Sequence, residues 1–269
     1  MSDLTGKVVL VSGTAGGQGR AAAVAFAQAG AHVIGCDVRT DGAAETVAIV
    51  TAAGGSMRSL QPLDPSEPDQ AERWVQFAVD AFGGIDVVYN NAGSMRARGA
   101  FADSTFEDWN LTLRYELTMA YVVTKAAWPV LIARGGGVII STASISGHQE
   151  LPPLRSAAHG ATKAGIIALT RMFAAEGAEH NIRAISISPG LVRSPATEAF
   201  WTGDAAMQKI GAGMLAKIPL GRAADCAEIA SVAVFLASPG AAYINATDIL
   251  VDGGMIGVSV AHFPQEVSV

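Results

Sequence analysis

Short runs of adjacent apolar residues, many of them β-branched, alternate along the chain with longer stretches whose apolar positions recur at three- and four-residue spacing. The strand candidates fall at residues 7–12, 31–36, 56–60, 85–90, 137–142, 182–188 and 248–251. Segments such as Val8-Val9-Leu10-Val11 and Val138-Ile139-Ile140 are apolar at every position rather than at every second one. That pattern belongs to strands covered on both faces, as in a parallel sheet. The longer stretches, residues 18–29, 41–53, 68–82, 105–133, 157–179 and 227–237, carry helical spacing. Strand and helix in alternation predict an α/β fold: a doubly wound (Rossmann) parallel seven-stranded sheet with helices on both faces. No linker or repeat interrupts the alternation, so residues 1–269 read as a single domain. The rhythm breaks at about residues 194–221, an insertion of the length expected of a lid or binding loop. The tail, residues 255–269, opens on an apolar run from Met255 to Phe263 that is suited to packing on a neighbouring subunit.

Composition narrows the class. Eighteen basic against 24 acidic residues leave a net charge of −6, the wrong sign for a nucleic-acid partner. Charged residues make up 16% and apolar residues 50% of the chain, the balance of a protein with much interior or with faces buried between subunits. The longest uncharged stretches fall short of the ~20 apolar residues of a membrane span. Two cysteines, Cys36 and Cys226, make no disulfide framework, and no Cys/His cluster has zinc spacing, so no metal site is expected. The first residues lack the charged and apolar regions of a signal peptide. The expectation is a soluble, cytoplasmic protein with reduced thiols.

The first strand ends in Ser12-Gly13-Thr14-Ala15-Gly16-Gly17-Gln18-Gly19 and runs into an Ala-rich helix. Glycines at 13, 17 and 19, with Gln18 between the last two, let the backbone turn sharply and approach a pyrophosphate at the helix N-terminus. Asp37 closes the second strand, where a carboxylate accepts hydrogen bonds from ribose hydroxyls and repels a 2′-phosphate. The cofactor expected is therefore NAD rather than NADP, with Arg39 two residues on as the opposing charge.

This glycine spacing, S-G-x-x-x-G-x-G, resembles that of the short-chain dehydrogenase/reductase family. The resemblance continues through Asn90-Asn91-Ala92-Gly93, Ser144-x-x-Gly147, Pro189-Gly190 and Val251-Asp252-Gly253-Gly254, covering about residues 4–256. It implies that Asp64 hydrogen-bonds the adenine amino group and that Asn91, Ala92 and Gly93 support the adenosine side. It implies that Pro189, Gly190, Val192 and Ser194 hold the nicotinamide end, that Lys163 holds the nicotinamide ribose, and that Ser144 hydrogen-bonds the reacting oxygen. It also implies self-association as a homodimer or homotetramer.

The catalytic end departs from the family pattern. Lys163 fixes the register of Ala158-His159-Gly160-Ala161-Thr162-Lys163, and the family's tyrosine position holds His159. Glu116 occupies the position of the family's asparagine, and the stretch between Ser144 and His159 is two residues longer than the pattern. A phenol starts near a pKa of ~10 and an imidazole near ~6.5. A neutral imidazole can still donate an N–H to a carbonyl or accept an alcohol proton. Its reach is shorter by roughly 2 Å, and ~1 Å of misplacement can cost about a hundredfold in rate. Glu116 has two roles open to it: pairing with Lys163 or accepting a proton itself. By the same resemblance Ser94, Arg96, Gln149, Glu150 and Trp201 wall the substrate pocket, with Trp201 and nearby methionines favouring an apolar substrate body. The reading is an NAD-dependent oxidoreductase acting on a secondary alcohol or ketone through an atypical His159 site. Two alternatives stay open: a lyase, dehydratase or isomerase using His159 and Glu116, and a non-catalytic NAD-binding protein.

Overall fold

A computed structural model describes residues 3–96, 99–150 and 156–258 of the chain. Its centre is a seven-stranded parallel sheet. The strands are β1 (Val8–Ser12), β2 (His32–Cys36), β3 (Ser56–Leu60), β4 (Val87–Asn90), β5 (Gly137–Thr142), β6 (Ile182–Pro189) and β9 (Thr247–Val251). They stand in the order β3-β2-β1-β4-β5-β6-β9. The continuous apolar runs have the predicted cause. Along β1, Val9 and Val11 enter one core, with Phe26, Ile229 and Leu236. Val8 and Leu10 enter the other, with Trp74, Val123 and Leu131. β1 is thus buried on both faces, one side chain after the next, whereas the edge strands β3 and β9 are only partly covered.

The helices on the first face are α1 (Gly17–Gln28), α2 (Thr40–Ala52) and α9 (Cys226–Ala237). The second face carries α3 (Pro68–Phe82), α5 (Met119–Arg134) and α6 (Ala157–Gly177). Helix α3 begins on Pro68 and ends at the left-handed Gly83 (φ 76°), the expected asymmetry of helix punctuation.

The structure adds detail to two of the expected segments. The helical stretch 105–133 is α4 (Phe106–Leu113) and α5 joined by a π-helical turn, Arg114–Thr118, in which the Met119 N–H reaches back to Arg114 O. The insertion at 194–221 is ordered, with α7 (Ala199–Thr202) and α8 (Ala205–Leu215) packed in a cluster with Ile145, Leu191, Phe200, Met214, Ile218 and Met255. A short parallel pair brackets it, β7 (Val192–Arg193) against β8 (Ala224–Asp225). Most of the tail lies outside the described residues. No helix among the described residues is long and apolar enough to cross a membrane.

Candidate active site

Strand order reverses between β1 and β4, whose carboxyl ends open on a cleft of about 520 Å³. This switch point is where ligands of doubly wound sheets bind. Gly13, Gly17, Gln18 and Gly19 form one wall. The close approach of turn and helix requires Gly19, because a Cβ there would lie 2.0 Å from Gly13 O. Ser12 Oγ accepts hydrogen bonds from the Asn91 and Ala92 N–H groups, both at 3.0 Å, and Asn91 Nδ2 donates to Ser12 O at 3.1 Å. The glycine turn and the Asn91–Gly93 turn are thereby locked together, while Asn90 points into the core toward Thr124.

Asp37 and Asp64 lie on the cleft wall. The Asp37 carboxylate accepts from Ala15 N (2.8 Å) and Arg39 N (2.9 Å), one bond to each oxygen. The Arg39 Nε is 3.7 Å away. Asp64 accepts from Ser66 and, at 3.4 Å, from Arg114, and Arg114 also pairs with Glu67. The residues present fit a nicotinamide dinucleotide. The first N–H groups of α1 have no partner inside the helix, the turn carries no Cβ at its closest approach, and a carboxylate stands at the end of β2.

At the far end, Gly93 faces Glu116 and Lys163. A Cβ on Gly93 would lie 3.6 Å from Glu116 Cγ, 3.8 Å from Glu116 Oε1 and 3.9 Å from Lys163 Nζ. Glu116 hangs from the π-helical turn and is 3% exposed. His159 Nδ1 donates to Glu116 Oε2 at 2.9 Å and lies 3.0 Å from Oε1. Thr162 Oγ1 donates to Oε2 at 2.6 Å. Lys163, also buried, donates to Thr142 O at 2.9 Å. Burial alone pushes the Glu116 carboxyl upward, but the Lys163 ammonium and the His159 and Thr162 hydrogen bonds outweigh it and hold the group at about 2.

Helix α6 presents His159, Thr162 and Lys163 on one face through their i, i+3 and i+4 spacing. Ser156 caps that helix, accepting the His159 N–H at 3.3 Å. Ser144 opens the short turn Ile145–Gly147, which is pressed against the same helix. A Cβ on Gly147 would lie 2.7 Å from the Lys163 carbonyl carbon.

The remaining residues divide. Ser94, Arg96 and Ser194 line the cleft. Pro189 ends β6, and Gly190 N bonds Val251 O at 3.0 Å, which ties that turn to the end of β9. Val192 is buried in β7. Trp201 packs in the insertion's apolar cluster, with the Arg193 guanidinium 4.3 Å above its ring. Gln149 and Glu150 are exposed next to residues 151–155, which lie outside the described residues. Sequence reasoning missed Thr162, although its three-residue spacing from His159 was a usable signal. It also missed Tyr115 and Met119, which line the cleft and whose placement depends on the π-helical turn.

Residues 13–256 match the family described as enoyl-(acyl carrier protein) reductase. A 3-oxoacyl-[acyl-carrier-protein] reductase of Thermotoga maritima is 34% identical over 255 residues, covering 94% of this chain and 99% of that protein. A structure from Agrobacterium tumefaciens with bound NADP is 33% identical with a TM-score of 0.85, over 95% of this chain and 98% of the other. A 7α-hydroxysteroid dehydrogenase complexed with NADH and 7-oxo glycochenodeoxycholic acid is 27% identical with a TM-score of 0.87, over 94% and 95%. Fold, motif order and these relatives agree: the chain belongs to the short-chain dehydrogenase/reductase family, whose oxidoreductases use nicotinamide cofactors.

Proposed function

We propose that the protein is an NAD-dependent oxidoreductase that interconverts a secondary alcohol and its ketone, with His159 as acid and base. The observation that carries this reading is the hydrogen bond from His159 Nδ1 to the buried Glu116 carboxylate beside Gly93. With Nδ1–H committed to a carboxylate, Nε2 carries the available lone pair. In the oxidative direction Nε2 removes the hydroxyl proton. In the reductive direction the imidazolium returns that proton through Nε2–H to the developing alkoxide, and the Glu116 negative charge stabilises the cation meanwhile. Glu116, held at about 2, is ionised through the neutral range and is too weak a base to take the substrate proton itself. It is the orienting group.

Ser144 Oγ hydrogen-bonds the reacting oxygen, and Lys163 holds the ribose next to the reacting ring. Gly13, Gly17, Gln18, Gly19, Asp37, Asp64, Asn91, Ala92, Gly93, Pro189, Gly190, Val192 and Ser194 hold the remainder of the dinucleotide. When bound there, the nicotinamide supplies the hydride acceptor or donor. NAD is favoured over NADP because Asp37 puts a negative charge where a 2′-phosphate would lie, and Arg39 offsets it incompletely from 3.7 Å. Ser94, Arg96, Gln149, Glu150 and Trp201 are the substrate-side residues. An oxo group on a secondary carbon is common to the substrates named for the reductase and the hydroxysteroid dehydrogenase, which supports the alcohol–ketone class. The protein works as a cytoplasmic homodimer or homotetramer of one-domain subunits.

The test follows reduced-nicotinamide absorbance with NAD and a broad panel of secondary alcohols. Turnover lost in His159→Ala is expected. Measured NAD binding with no turnover on any alcohol would count against the reading. Substrate conversion without net change in the cofactor would point to the lyase or isomerase alternative.

A further inference from the structure

We propose that His148 is a positioning residue for this site, tying the turn that carries Ser144 to the edge strand β9 through the buried carboxylate of Asp248. The proposal rests on the dehydrogenase reading of the active site.

Three tethers hold the segment after Ser144. Ile145 is buried in the apolar cluster of the insertion. Gly147 lies directly on the α6 backbone, where a Cβ would come within 2.7 Å of the Lys163 carbonyl carbon and 2.8 Å of Ala164 N. His148 then reaches the opposite way. Its Nε2 donates to Asp248 Oδ2 at 2.7 Å and lies 3.5 Å from Ser188 Oγ on β6. The Ser144 turn is thus clamped between the helix that carries His159 and Lys163 and the outermost strand of the sheet.

The Asp248 side chain is 5% exposed and stands beside Ser186 in the β6–β9 register. Asp248 Oδ1 and Ser186 Oγ are both buried without a hydrogen-bond partner in the described structure. A carboxylate buried on these terms is costly, and an apolar side chain of similar size would fill the place at lower desolvation cost. Among the described residues, the hydrogen bond to His148 is the one contact that compensates it. His148 also lies near the start of the stretch between Ser144 and His159, which runs two residues longer than the family pattern. Added length brings added freedom at the loop's entry, and a hydrogen bond to a fixed strand removes it where Ser144 must be placed. The short reach of an imidazole leaves little tolerance for a displaced Ser144.

The experiment compares His148→Leu, His148→Gln, which keeps an N–H donor, and the double variant His148→Leu/Asp248→Leu, which leaves no unpaired carboxylate. Amide hydrogen exchange over residues 144–150 is measured on the full chain, alongside kcat, KM and NAD affinity. His148→Leu and the double variant should speed exchange at 144–150 and lower kcat by roughly 10- to 100-fold, with NAD affinity unchanged. His148→Gln should hold kcat within about threefold. Exchange and kcat unchanged in the double variant would overturn the proposal. So would a loss of activity that tracks thermal stability and spares the 144–150 amides. If the unmodified protein turns over no alcohol, the dehydrogenase reading fails, and the exchange measurement still decides the tether.

Discussion

At the scale of single residues, the site is one hydrogen-bonded acid. Glu116 is nearly fully buried, yet it stays ionised because Lys163, His159 and Thr162 surround it. Its carboxyl is depressed from an ordinary value of 4.5 to about 2, so the folded state binds fewer protons than the unfolded chain between those values. The stability it contributes is complete above about pH 4.5 and is lost as pH falls toward 2, an effect on the order of 3 kcal/mol. Chemical denaturation of the unmodified protein between pH 5 and pH 2.5 should show this slope, and Glu116→Gln should flatten it. An unchanged slope would mean that the carboxyl titrates normally. His159→Ala should lower kcat/KM by about 10² to 10⁴, the usual cost of losing a general acid/base, with dinucleotide affinity retained. Activity kept in that variant would move the chemistry out of this pocket. Asp37→Ala should narrow or reverse the ratio of NAD to NADP affinity. Equal binding of the two by the unmodified protein would disprove the role given to Asp37. His159 and Glu116 were both legible as departures from a family pattern, but their direct hydrogen bond was not, because sequence spacing does not reveal how two distant helices face one another.

At the scale of elements, the strands were legible almost residue by residue, and for the central ones the reason is that burial on both faces writes itself as uninterrupted apolar runs. The helix ends were legible where a proline or glycine marks them, as at Pro68 and Gly83. The break within 105–133 was not. A π-helical turn leaves the apolar pattern nearly intact while shifting the later helical positions by one residue, and here it turns Glu116 inward. Deleting one residue from the turn, for example Thr118, should restore α-helical phase and rotate Glu116 away from His159. The expected result is a folded protein with far-ultraviolet circular dichroism close to that of the parent and activity lowered by up to the loss expected in His159→Ala. Full activity in the deletion would show that the turn does not place the acid. The insertion's helices were likewise unread, because the mixed pattern at 194–221 pairs its apolar positions with Ile145 and Leu191 elsewhere in the chain.

At the scale of the whole molecule, the low charge density and high apolar fraction are the balance of a protein with much interior or with faces buried between subunits. An apolar groove runs between α5 and α6, lined by Leu117, Tyr121, Gly165, Ala168, Leu169 and Met172. Tyr121 and Met172 are 48% and 56% exposed. Gly165 keeps the helices close, since a Cβ there would come within 3.0 Å of Leu117. A second copy of the same face, packed about a twofold axis, would cover the large side chains left in water along these two helices. The groove also borders the site: Leu117 comes directly after Glu116 in the π-helical turn, and Leu169 and Met172 lie on the helix that carries His159. Association across this face would therefore hold both halves of the acid–base pair in register. Light scattering should return at least twice the 27.5 kDa of one chain, and Met172→Glu should shift the population toward single chains by burying a charge against its own copy. Those single chains should bind dinucleotide normally but lose kcat, because the cleft around Gly13 and Asp37 lies on other elements while the Glu116–His159 contact spans the two helices that a partner would steady. A mass of one chain for the unmodified protein would refute the assembly. Full activity in a monomeric Met172→Glu variant would separate the assembly from the chemistry.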